Sequence, residues 1–480
     1  MSSKWRKFRL EEQCERVTKG TTPTTVGGRF TESGINFIKV ESIGNDGQIQ
    51  TDKLAAIDAE TDQLLKRSRI LSGDILFTIA GTIGRVCLFP EKLVPANTNQ
   101  AVAIIRLKNN SEIDRTYLYY ALRSEVTKNT VAAGVVQAVQ ANFSLGSIKK
   151  LEIHAPSSID EQREVAKNLK ALDDKIQLNN QINQTLEQMA QAIFKSWFVD
   201  FEPVKAKIAA LEAGGSEEDA LLAAMQAISG KGEAELTRLQ AEQPEQYAEL
   251  RATADLFPSA MQDSELGEIP EGWEVVPLSA MVNLIGGGTP KKSEPAFWNG
   301  HICWFSVKDV PSDGNVFVVD TEDKITEEGL NRSSTKLLPI GTTIITARGT
   351  VGKLALTGVS TAMNQSCYGV VASDETGPYL NYLRLSEGVD TLKRNTHGAV
   401  FDTITRSTFD TVLQPRSCLA LRQRFEQTVT PMFEAIRNNL IQSNTLSEAR
   451  DSLLPKLLSG ELSVSEAEIQ LAEAEEAANV

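Results

Sequence analysis

The chain has 480 residues and a mass of 52.4 kDa, which suits two or three domains better than one. Hydrophobic residues make up 41% and charged residues 23%, so the chain can build cores and is not disordered overall. Its 49 basic and 63 acidic side chains give a formal net charge of -14. This balance excludes a uniformly basic nucleic-acid binder, but it does not exclude binding through a local basic surface.

The charge is unevenly distributed along the chain. Residues 1–155 carry 21 basic and 16 acidic side chains, a net charge of +5. Residues 156–268 carry 10 basic and 21 acidic side chains, a net charge of -11. The N-terminal region is therefore the part that could face a polyanion.

Cysteine and histidine spacing argues against a disulfide framework and a metal site. The five cysteines are scattered and none forms a CxxC pair, which favours a reducing cytoplasm. No two of the three histidines lie three or four residues apart, so a helical metal pair is absent. Residues 1–10 lack an apolar stretch, and we expect no signal peptide and no membrane span.

The first 155 residues predict a mixed α/β block with strands at its centre. Gly73-Asp74 precedes the apolar run Ile75-Leu76-Phe77, which is typical of a turn that leads into a buried strand. Gly81 and Gly84 follow at once, and they predict a tight turn in which glycine adopts positive φ without strain.

A long helix is predicted after this block. Residues 158–198 contain no proline and no glycine, and apolar or amide residues recur at alternating four- and three-residue steps. This is the a/d pattern of a coiled coil. The predicted seam is Val165, Leu169, Leu172, Ile176, Asn179, Asn183, Leu186, Ala190, Ile193 and Trp197.

The chain then repeats itself. Trp5 recurs as Trp273, Gly20-Thr21-Thr22-Pro23 as Gly287-Gly288-Thr289-Pro290, and Asn99-Gln100 as Asn364-Gln365. Residues 77–86, with their two glycines, recur as residues 345–354. The matches are collinear and their offsets stay between 265 and 268, so they indicate a duplicated block.

The long helix is duplicated as well, at a constant offset of 260. The second seam is Phe425, Val429, Met432, Ile436, Asn439, Ser443, Leu446, Arg450, Leu453 and Leu457. Pro431 lies inside it and predicts a kink or a helix start. Polar residues occupy two matching seam positions, which favours pairing of the two helices with each other. The alternative is two unrelated surface helices.

These patterns predict an α+β chain with internal pseudo-twofold symmetry, in which two mixed α/β blocks are separated by two helices that form an antiparallel coiled coil. The predicted segments are residues 1–155 (first block), 156–202 (first spacer helix), 203–262 (Ala/Glu-rich helices and linker), 263–415 (second block), 416–460 (second spacer helix) and 461–480 (acidic tail).

Catalytic motifs are missing from the sequence. There is no GxxxxGK[ST] phosphate loop, no GxGxxG after a strand, no GxSxG and no HExxH. Carboxylate pairs such as Asp173-Asp174 are expected on the exposed face of the first long helix. We therefore predict neither catalytic residues nor a metal site.

Duplicated basic loops are the remaining candidates for function. Arginine and lysine contact phosphates, and arginine, asparagine and glutamine can bind base edges. Our candidates for DNA binding are Lys19, Lys39, Arg85, Lys149, Lys150, Lys291, Lys292, Lys308, Arg348 and Lys353. We expect any one of them to contact a phosphate rather than a base. The duplicated Asn-Gln pairs are expected to stabilise the scaffold common to both blocks.

The order of these segments resembles the specificity subunit (HsdS) of type I restriction–modification systems, over about residues 1–460. The segments that carry the resemblance are 20–23, 287–290, Gly73-Asp74-Ile75-Leu76, Ala171-Leu172-Asp173-Asp174-Lys175-Ile176, Asn179-Asn180, residues 194–203 and residues 452–462. One departure is Gly341-Thr342-Thr343-Ile344, where the first block has Gly-Asp-Ile-Leu. That position is expected to be structural.

The resemblance implies two target-recognition domains, each of which binds one half of a split site in double-stranded DNA. It also implies two methyltransferase subunits and motor-nuclease restriction subunits as partners. Methylation would be at adenine N6, with S-adenosylmethionine bound by the methyltransferase and no cofactor here. The alternatives are a self-contained DNA methyltransferase or nuclease, which the missing motifs disfavour, and a purely structural coiled-coil scaffold.

If the paired helices measure the gap between half-sites, the length of the unspecified DNA spacer must follow helix length. Four residues inserted after Gln181 add about 6 Å of rise. At about 3.4 Å per base pair, we expect the spacer to lengthen by one or two base pairs with both half-sites retained. Mapping methylated adenines in cells carrying the variant tests this. An active variant with the original spacer would contradict it.

Overall fold

The computed structural model describes residues 5–136, 142–311, 315–373, 375–396, 403–463, 465–467 and 469–470. The chain divides into two compact units, unit 1 (residues 1–176 and 444–480) and unit 2 (residues 177–443). Much of the predicted acidic tail, 461–480, lies outside the described residues. Within the described ranges, none of the helices has the length and apolar character needed to span a membrane.

In the described part of the first block there are ten strands and five short α-helices, and the long helix α6 (Ile159–Phe198) follows. Its helices are α1 (Leu10–Gln13), α2 (Ala59–Leu64), α3 (Arg115–Arg123), α4 (Glu125–Val136) and α5 (Leu145–Lys149). Its strands are β1 (Trp5–Arg9), β2 (Cys14–Lys19), β3 (Phe30–Thr31), β4 (Ile35–Ile38), β5 (Ala55–Ile57), β6 (Ile75–Thr78), β7 (Val86–Leu88), β8 (Ala96–Thr98), β9 (Val102–Leu107) and β10 (Glu152–Pro156).

The first block has a sheet that is covered on both faces. Its strand order is β2-β9-β6-β7, and a second sheet has the order β3-β5-β4-β8. Because side chains alternate along a strand, Ile75 and Phe77 of β6 enter the core that contains Tyr117 of α3. Leu76 enters a different core with Ile38 of the second sheet. The predicted buried strand is confirmed, and it lies between a helical layer and a second sheet.

The Gly73-Asp74 turn anchors this sheet. The Asp74 carboxylate is 2% exposed and accepts hydrogen bonds from Nε and Nη2 of Arg106 at 2.8 and 2.6 Å. These bonds raise the pKa of Arg106. In the second block Thr357 Oγ1 accepts a hydrogen bond from the Thr342 amide at 2.9 Å instead. The position is therefore structural in both blocks, as predicted.

Four helices and a β-hairpin separate the blocks. The helices are α7 (Glu202–Glu212), α8 (Glu217–Ser229), α9 (Glu233–Glu242) and α10 (Pro244–Asp255), and the hairpin strands are β11 (Met261–Ser264) and β12 (Gly267–Pro270). Met225, Leu236 and Ala254 form a small core of their own. Lys207 is buried and donates to the Phe257 carbonyl at 2.6 Å. The helical segment is thus packed together rather than extended.

The second block repeats the first in topology. Its strands are β13 (Glu274–Pro277), β14 (Val282–Gly286), β15 (Trp298–Phe305), β16 (Phe317–Val318), β17 (Lys324–Ile325), β18 (Thr343–Thr346), β19 (Leu354–Thr357), β20 (Thr361–Met363), β21 (Cys367–Ala372) and β22 (Leu413–Arg416). Its helices are α11 (Glu327–Asn331) and α12 (Pro378–Arg394), and the long helix α13 (Leu419–Ser459) follows.

The strand orders of the two blocks show the duplication directly. The order β14-β21-β18-β19, extended by β16, reproduces β2-β9-β6-β7. The parallel pair β15–β20 reproduces β4–β8, and the antiparallel pair β13–β22 reproduces β1–β10. The predicted repeat is confirmed at the level of topology.

The two long helices pair antiparallel within unit 2. Asn179 Nδ2 donates to Ser443 Oγ at 3.2 Å, Asn439 Nδ2 donates to Asn183 Oδ1 at 2.9 Å, and the Phe194 and Phe425 rings lie 6.1 Å apart. The residue numbers of the contacts thus fall along α13 as they rise along α6, as expected for an antiparallel pair. Helix α13 passes through Pro431 without ending, so a helix start at that residue is wrong.

Unit 1 contains the other ends of both helices. Val165 and Leu169 of α6 share a core with Leu453 and Leu457 of α13. Beyond α13, Gly460 lies against the first strand: a Cβ atom at residue 460 would come within 2.5 Å of the Trp5 indole, and its φ is +75°. Glycine is therefore required at this contact.

The Asp173 side chain is largely buried in a charged cluster, so its predicted exposure is wrong. Its carboxylate lies 2.7 Å from Arg450 Nη1, 3.3 Å from Arg123 Nη1 and 2.8 Å from the Tyr120 hydroxyl. The Asp173 and Arg450 side chains are 12% and 14% exposed. Burial alone would lower the pKa of Arg450, but Asp173 and Asp451 raise it above its ordinary value.

We predict that Arg450→Ala destabilises unit 1, because the Asp173 carboxylate loses its closest cation while it stays buried. The expected loss in free energy of unfolding is about 2 to 3 kcal/mol, since Arg123 and Tyr120 still contact Asp173. Urea denaturation followed by circular dichroism measures it. The control is Lys170→Ala, which removes the exposed ion pair with Asp174 on the same helix. It should cost less than about 0.5 kcal/mol, and equal losses would contradict the prediction.

Candidate nucleic-acid interface

A glycine hairpin closed by one threonine occurs in both blocks. In the first, Thr78 Oγ1 donates to the Thr82 carbonyl at 2.6 Å and accepts from the Arg85 amide at 2.8 Å. Gly81 and Gly84 have φ of 74° and 93°. The turn predicted from the two glycines is confirmed, and the hydroxyl fixes its shape.

The second block contains the same hairpin. Thr346 Oγ1 donates to the Thr350 carbonyl and accepts from the Lys353 amide at 2.9 Å. Gly349 and Gly352 both have φ of 78°. Two blocks that otherwise differ thus present one rigid hairpin with a basic residue after its second glycine.

The basic side chains of the two hairpins are not equivalent. Arg85 Nη1 donates to the Ile43 carbonyl at 2.8 Å, so part of its guanidinium holds a neighbouring loop. Lys353 is exposed. Arg348 is exposed as well, forms no ion pair with any residue that the structure describes, and occupies the position of Ala80 in the first block. The second hairpin therefore carries an additional free cation.

Lys39 and Lys308 occupy matching loops after β4 and β15, and each is paired with a carboxylate. Lys39 Nζ lies 3.8 Å from Glu41 and 5.1 Å from the centre of the Phe30 ring. Lys308 Nζ lies 3.3 Å from Glu322. Both lysines lie at the surface within reach of an external phosphate, but their neighbouring acids reduce the net charge there.

The remaining lysines of the first block fall into two groups. Lys19 is exposed at the end of β2. The Leu10 amide instead donates to the Leu151 carbonyl at 3.0 Å, so the residues that end α5 lie beside α1, which leads into the start of β2. The two ends of this strand are about 17 Å apart. The structure therefore does not bring the exposed Lys149 and Lys150 to the same end of the strand as Lys19.

Lys291 and Lys292 are exposed on a loop held by tryptophans. Trp298 Nε1 donates to the Lys291 carbonyl at 3.3 Å, and Trp304 Nε1 donates to the Gly288 carbonyl at 3.0 Å. The two indoles pack edge to face with centres 5.1 Å apart. Two indole hydrogen bonds thus hold the backbone of this loop, and both lysine side chains are exposed at its surface.

The Asn-Gln pairs divide into a structural and an exposed residue. Asn99 Oδ1 accepts from the Ala101 amide at 3.0 Å, and Asn364 Oδ1 accepts from the Ser366 amide at 2.9 Å, so both asparagines stabilise turns as predicted. The glutamines beside them are exposed and accept a hydrogen bond from the threonine of the GTTP or GGTP segment.

Gln100 and Gln365 are surface candidates that the sequence left among scaffold residues. Within the described part of the chain, nothing accepts a hydrogen bond from the Nε2 group of either side chain. A glutamine amide can bind the edge of adenine in the major groove. The duplication of these glutamines is visible in the sequence. Their exposure, and the half-buried position of the neighbouring asparagines, are visible only in the structure.

A cleft in unit 1 connects the first hairpin with the helices. Its volume is about 830 Å³, and Arg85, Arg123, Lys128 and Arg450 line it together with Gly81 and Gly84. Glu125 is also in its wall and forms an ion pair with Lys128 at 2.6 Å. In the described residues, no group of three or more histidine, cysteine or acidic side chains is placed to hold a metal ion.

A family model named Type I restriction modification DNA specificity domain matches residues 2–188 and 270–412. The chain belongs to this family. The matched ranges contain all ten basic candidates and both glycine hairpins, but not the helices α7 to α10.

Relatives within the family cover much of the chain. The HindI specificity subunit of Haemophilus influenzae is 38% identical over 67% of this chain and 71% of its own length. The MjaIX specificity subunit of Methanocaldococcus jannaschii is 26% identical over 94% of this chain and 92% of its own. The fold resembles the crystal structure of the type I restriction–modification S subunit from M. genitalium, with a TM-score of 0.52, 14% identity, and coverage of 95% and 96% of the two chains.

We predict that Arg348 contacts a DNA phosphate. In the assembled complex, Arg348→Ala should lower affinity for specific and random DNA by the same factor, because a phosphate contact carries no sequence information. The slope of log affinity against log salt should fall by about 0.9. Filter binding at several salt concentrations measures both.

The control for Arg348 is Arg238→Ala on α9, which removes a cation with 75% side-chain exposure outside the matched ranges. It should leave affinity and salt slope unchanged. A loss confined to specific DNA would show that Arg348 binds a base instead.

Proposed function

We propose that each block of this specificity subunit binds one half of a split DNA site, and that the chain directs partner enzymes to that site. The observation that carries the proposal is the duplicated hairpin and Thr–Gln pair, which lie on blocks whose other surface residues differ. Two domains that share the hairpin and the Thr–Gln pair but differ in their other surface residues can bind the DNA backbone in the same way and recognise different bases.

The chain is a recognition subunit rather than a catalytic one, as the family to which it belongs indicates. This agrees with the missing nucleotide-binding and nucleophile motifs. A self-contained methyltransferase or nuclease has no support from the relatives.

Methyltransferase and restriction subunits are the partners of type I specificity subunits, and we propose two methyltransferase subunits for this chain, one for each repeat. S-adenosylmethionine would bind to those subunits, with adenine N6 as the methylated atom. The net charge of -14 supports such an assembly, because partner subunits would have to supply part of the phosphate-binding surface. The free cysteines are consistent with a cytoplasmic site of action.

The experiment is a block exchange followed by methylome mapping. Residues 1–155 are replaced by those of a relative that retains Tyr120 and Arg123, so that contacts with Asp173 are preserved. We expect one half of the methylated motif to change and the other half to stay the same, because residues 263–415 are untouched.

The reciprocal exchange of residues 263–415 is the control, and it should change only the other half-site. A change in both half-sites, or in neither, from a complex that still methylates DNA would contradict the assignment of one half-site to each block.

A further inference from the structure

We infer that the Asp173 cluster is a pairing-specificity element, which selects the second long helix as the partner of the first and rejects a second copy of the first. The inference concerns how helices pair and does not depend on the proposed DNA function. It follows from a comparison of the cluster with the equivalent position in the other unit.

The equivalence of the two positions rests on constant sequence offsets. Helices α6 and α13 correspond at an offset of 260, so Asp173 corresponds to Phe433 and Ala190 corresponds to Arg450. Residues 117–125 (YLYYALRSE) correspond to residues 379–387 (YLNYLRLSE) at an offset of 262. Tyr120 therefore corresponds to Tyr382, and Arg123 corresponds to Leu385.

Every charged member of the cluster in unit 1 is replaced by an apolar residue in unit 2. Phe433 stacks on Tyr379 with ring centres 4.5 Å apart and packs edge-on against Tyr382 at 6.0 Å. Ala190 belongs to the same apolar core as Phe433. Asp173 and Arg450 thus correspond to two residues of one apolar core, whereas Leu385, the counterpart of Arg123, belongs to a neighbouring core.

This difference sets a penalty on pairing of like helices. If two copies of α6 paired antiparallel, Asp173 would face Ala190 of the other copy and lose Arg450. If two copies of α13 paired, Arg450 would face Phe433 of the other copy and lose Asp173. Each arrangement leaves a buried charge without its principal partner, which is strongly unfavourable.

The polar residues nearer the middle of the helices do not provide this discrimination. Asn179 and Asn183 bond to Ser443 and Asn439. In a like-with-like pair, Asn179 would face Asn183, and Asn439 would face Ser443, so each would still find an amide or hydroxyl partner. These residues can fix the register. Of the polar seam contacts described here, the charged cluster is the one that distinguishes the two helices.

The helix that packs against the Asp173 cluster on α6 is therefore α13 of the same chain. A chain in which like helices pair would be a dimer that joins two copies of one block, whereas the observed pairing joins two different blocks. The cluster acts by making the wrong pair unfavourable, which is a common source of specificity between similar partners.

The test uses two full-length chains that are refolded together. One carries Asn179→Cys and the other Asn183→Cys, both with Cys418→Ser to remove the exposed thiol. A disulfide that joins position 179 of one chain to position 183 of the other, identified by peptide mapping, reports pairing of like helices. Pairing of the two helices within one chain has an effective concentration of millimolar order. The chains are therefore refolded at about 0.1 mM, and the disulfide traps the minor population in which like helices of two chains have paired.

The comparison is between the native cluster and an apolar variant, Asp173→Phe with Arg123→Leu and Arg450→Ala, which installs the residues of unit 2. We expect the interchain disulfide to rise about tenfold in the apolar variant. A chain with Asn183→Cys and Asn439→Cys calibrates the trap, because those residues contact each other in the observed pairing. Lys170→Ala with Asp174→Ala removes an exposed pair and should change nothing.

A second variant allows the test to be completed if the apolar variant does not fold. Asp173→Asn with Arg450→Gln removes the charges and keeps side chains of similar shape, and it should raise the interchain disulfide in the same direction. Circular dichroism and thermal unfolding establish which variants are folded. An interchain yield that stays at the native level in a folded variant of either kind overturns the inference.

Discussion

Burial of polar side chains between two long helices is the constraint on which the rest of this protein depends. A coiled-coil seam of apolar residues alone permits several registers and partners, whereas an amide or charge in the seam must find its own partner. Here Asn179, Asn183 and Asp173 each have a partner on α13. The helices therefore have one register, and each block is attached to that register through its own core.

Each block contributes one long helix to the pair, and a shorter helix of the block packs on it. Helix α3 packs on α6 in unit 1, and α12 packs on α13 in unit 2. In unit 2 the half-buried Glu426 carboxylate accepts hydrogen bonds from the Tyr379 and Leu380 amides at 3.1 and 2.8 Å. Burial raises the pKa of Glu426 despite these two hydrogen bonds. The first hairpin lies close to these helix contacts, because Gly81, Gly84 and Arg85 line the same cleft as Arg123 and Arg450.

Much of the fold could be predicted from the sequence because the chain contains two copies of the α/β block and of the long helix that follows it. Constant offsets revealed both blocks, and the four-and-three spacing of Val165 to Trp197 revealed the long helix. Asp173 was misjudged because its partners Arg123 and Arg450 are 50 and 277 residues away, beyond any local pattern. The separation of Lys149 from Lys19 was hidden for the same reason. Distinguishing Gln100 from Asn99 required the turn geometry, since the two residues are adjacent and equally duplicated.

Unit 1 is discontinuous in the chain, and this bears on how the protein is made. Its core joins Val165 and Leu169 to Leu453 and Leu457, and Gly460 lies against Trp5 in the first strand. The ribosome therefore synthesises the whole of unit 2 before the last part of unit 1 exists. Until then the first half of α6 can pack on α3 of the first block, but it lacks its α13 partner. The first residues to be synthesised thus complete their packing last, because that packing includes Leu453, Leu457 and Gly460.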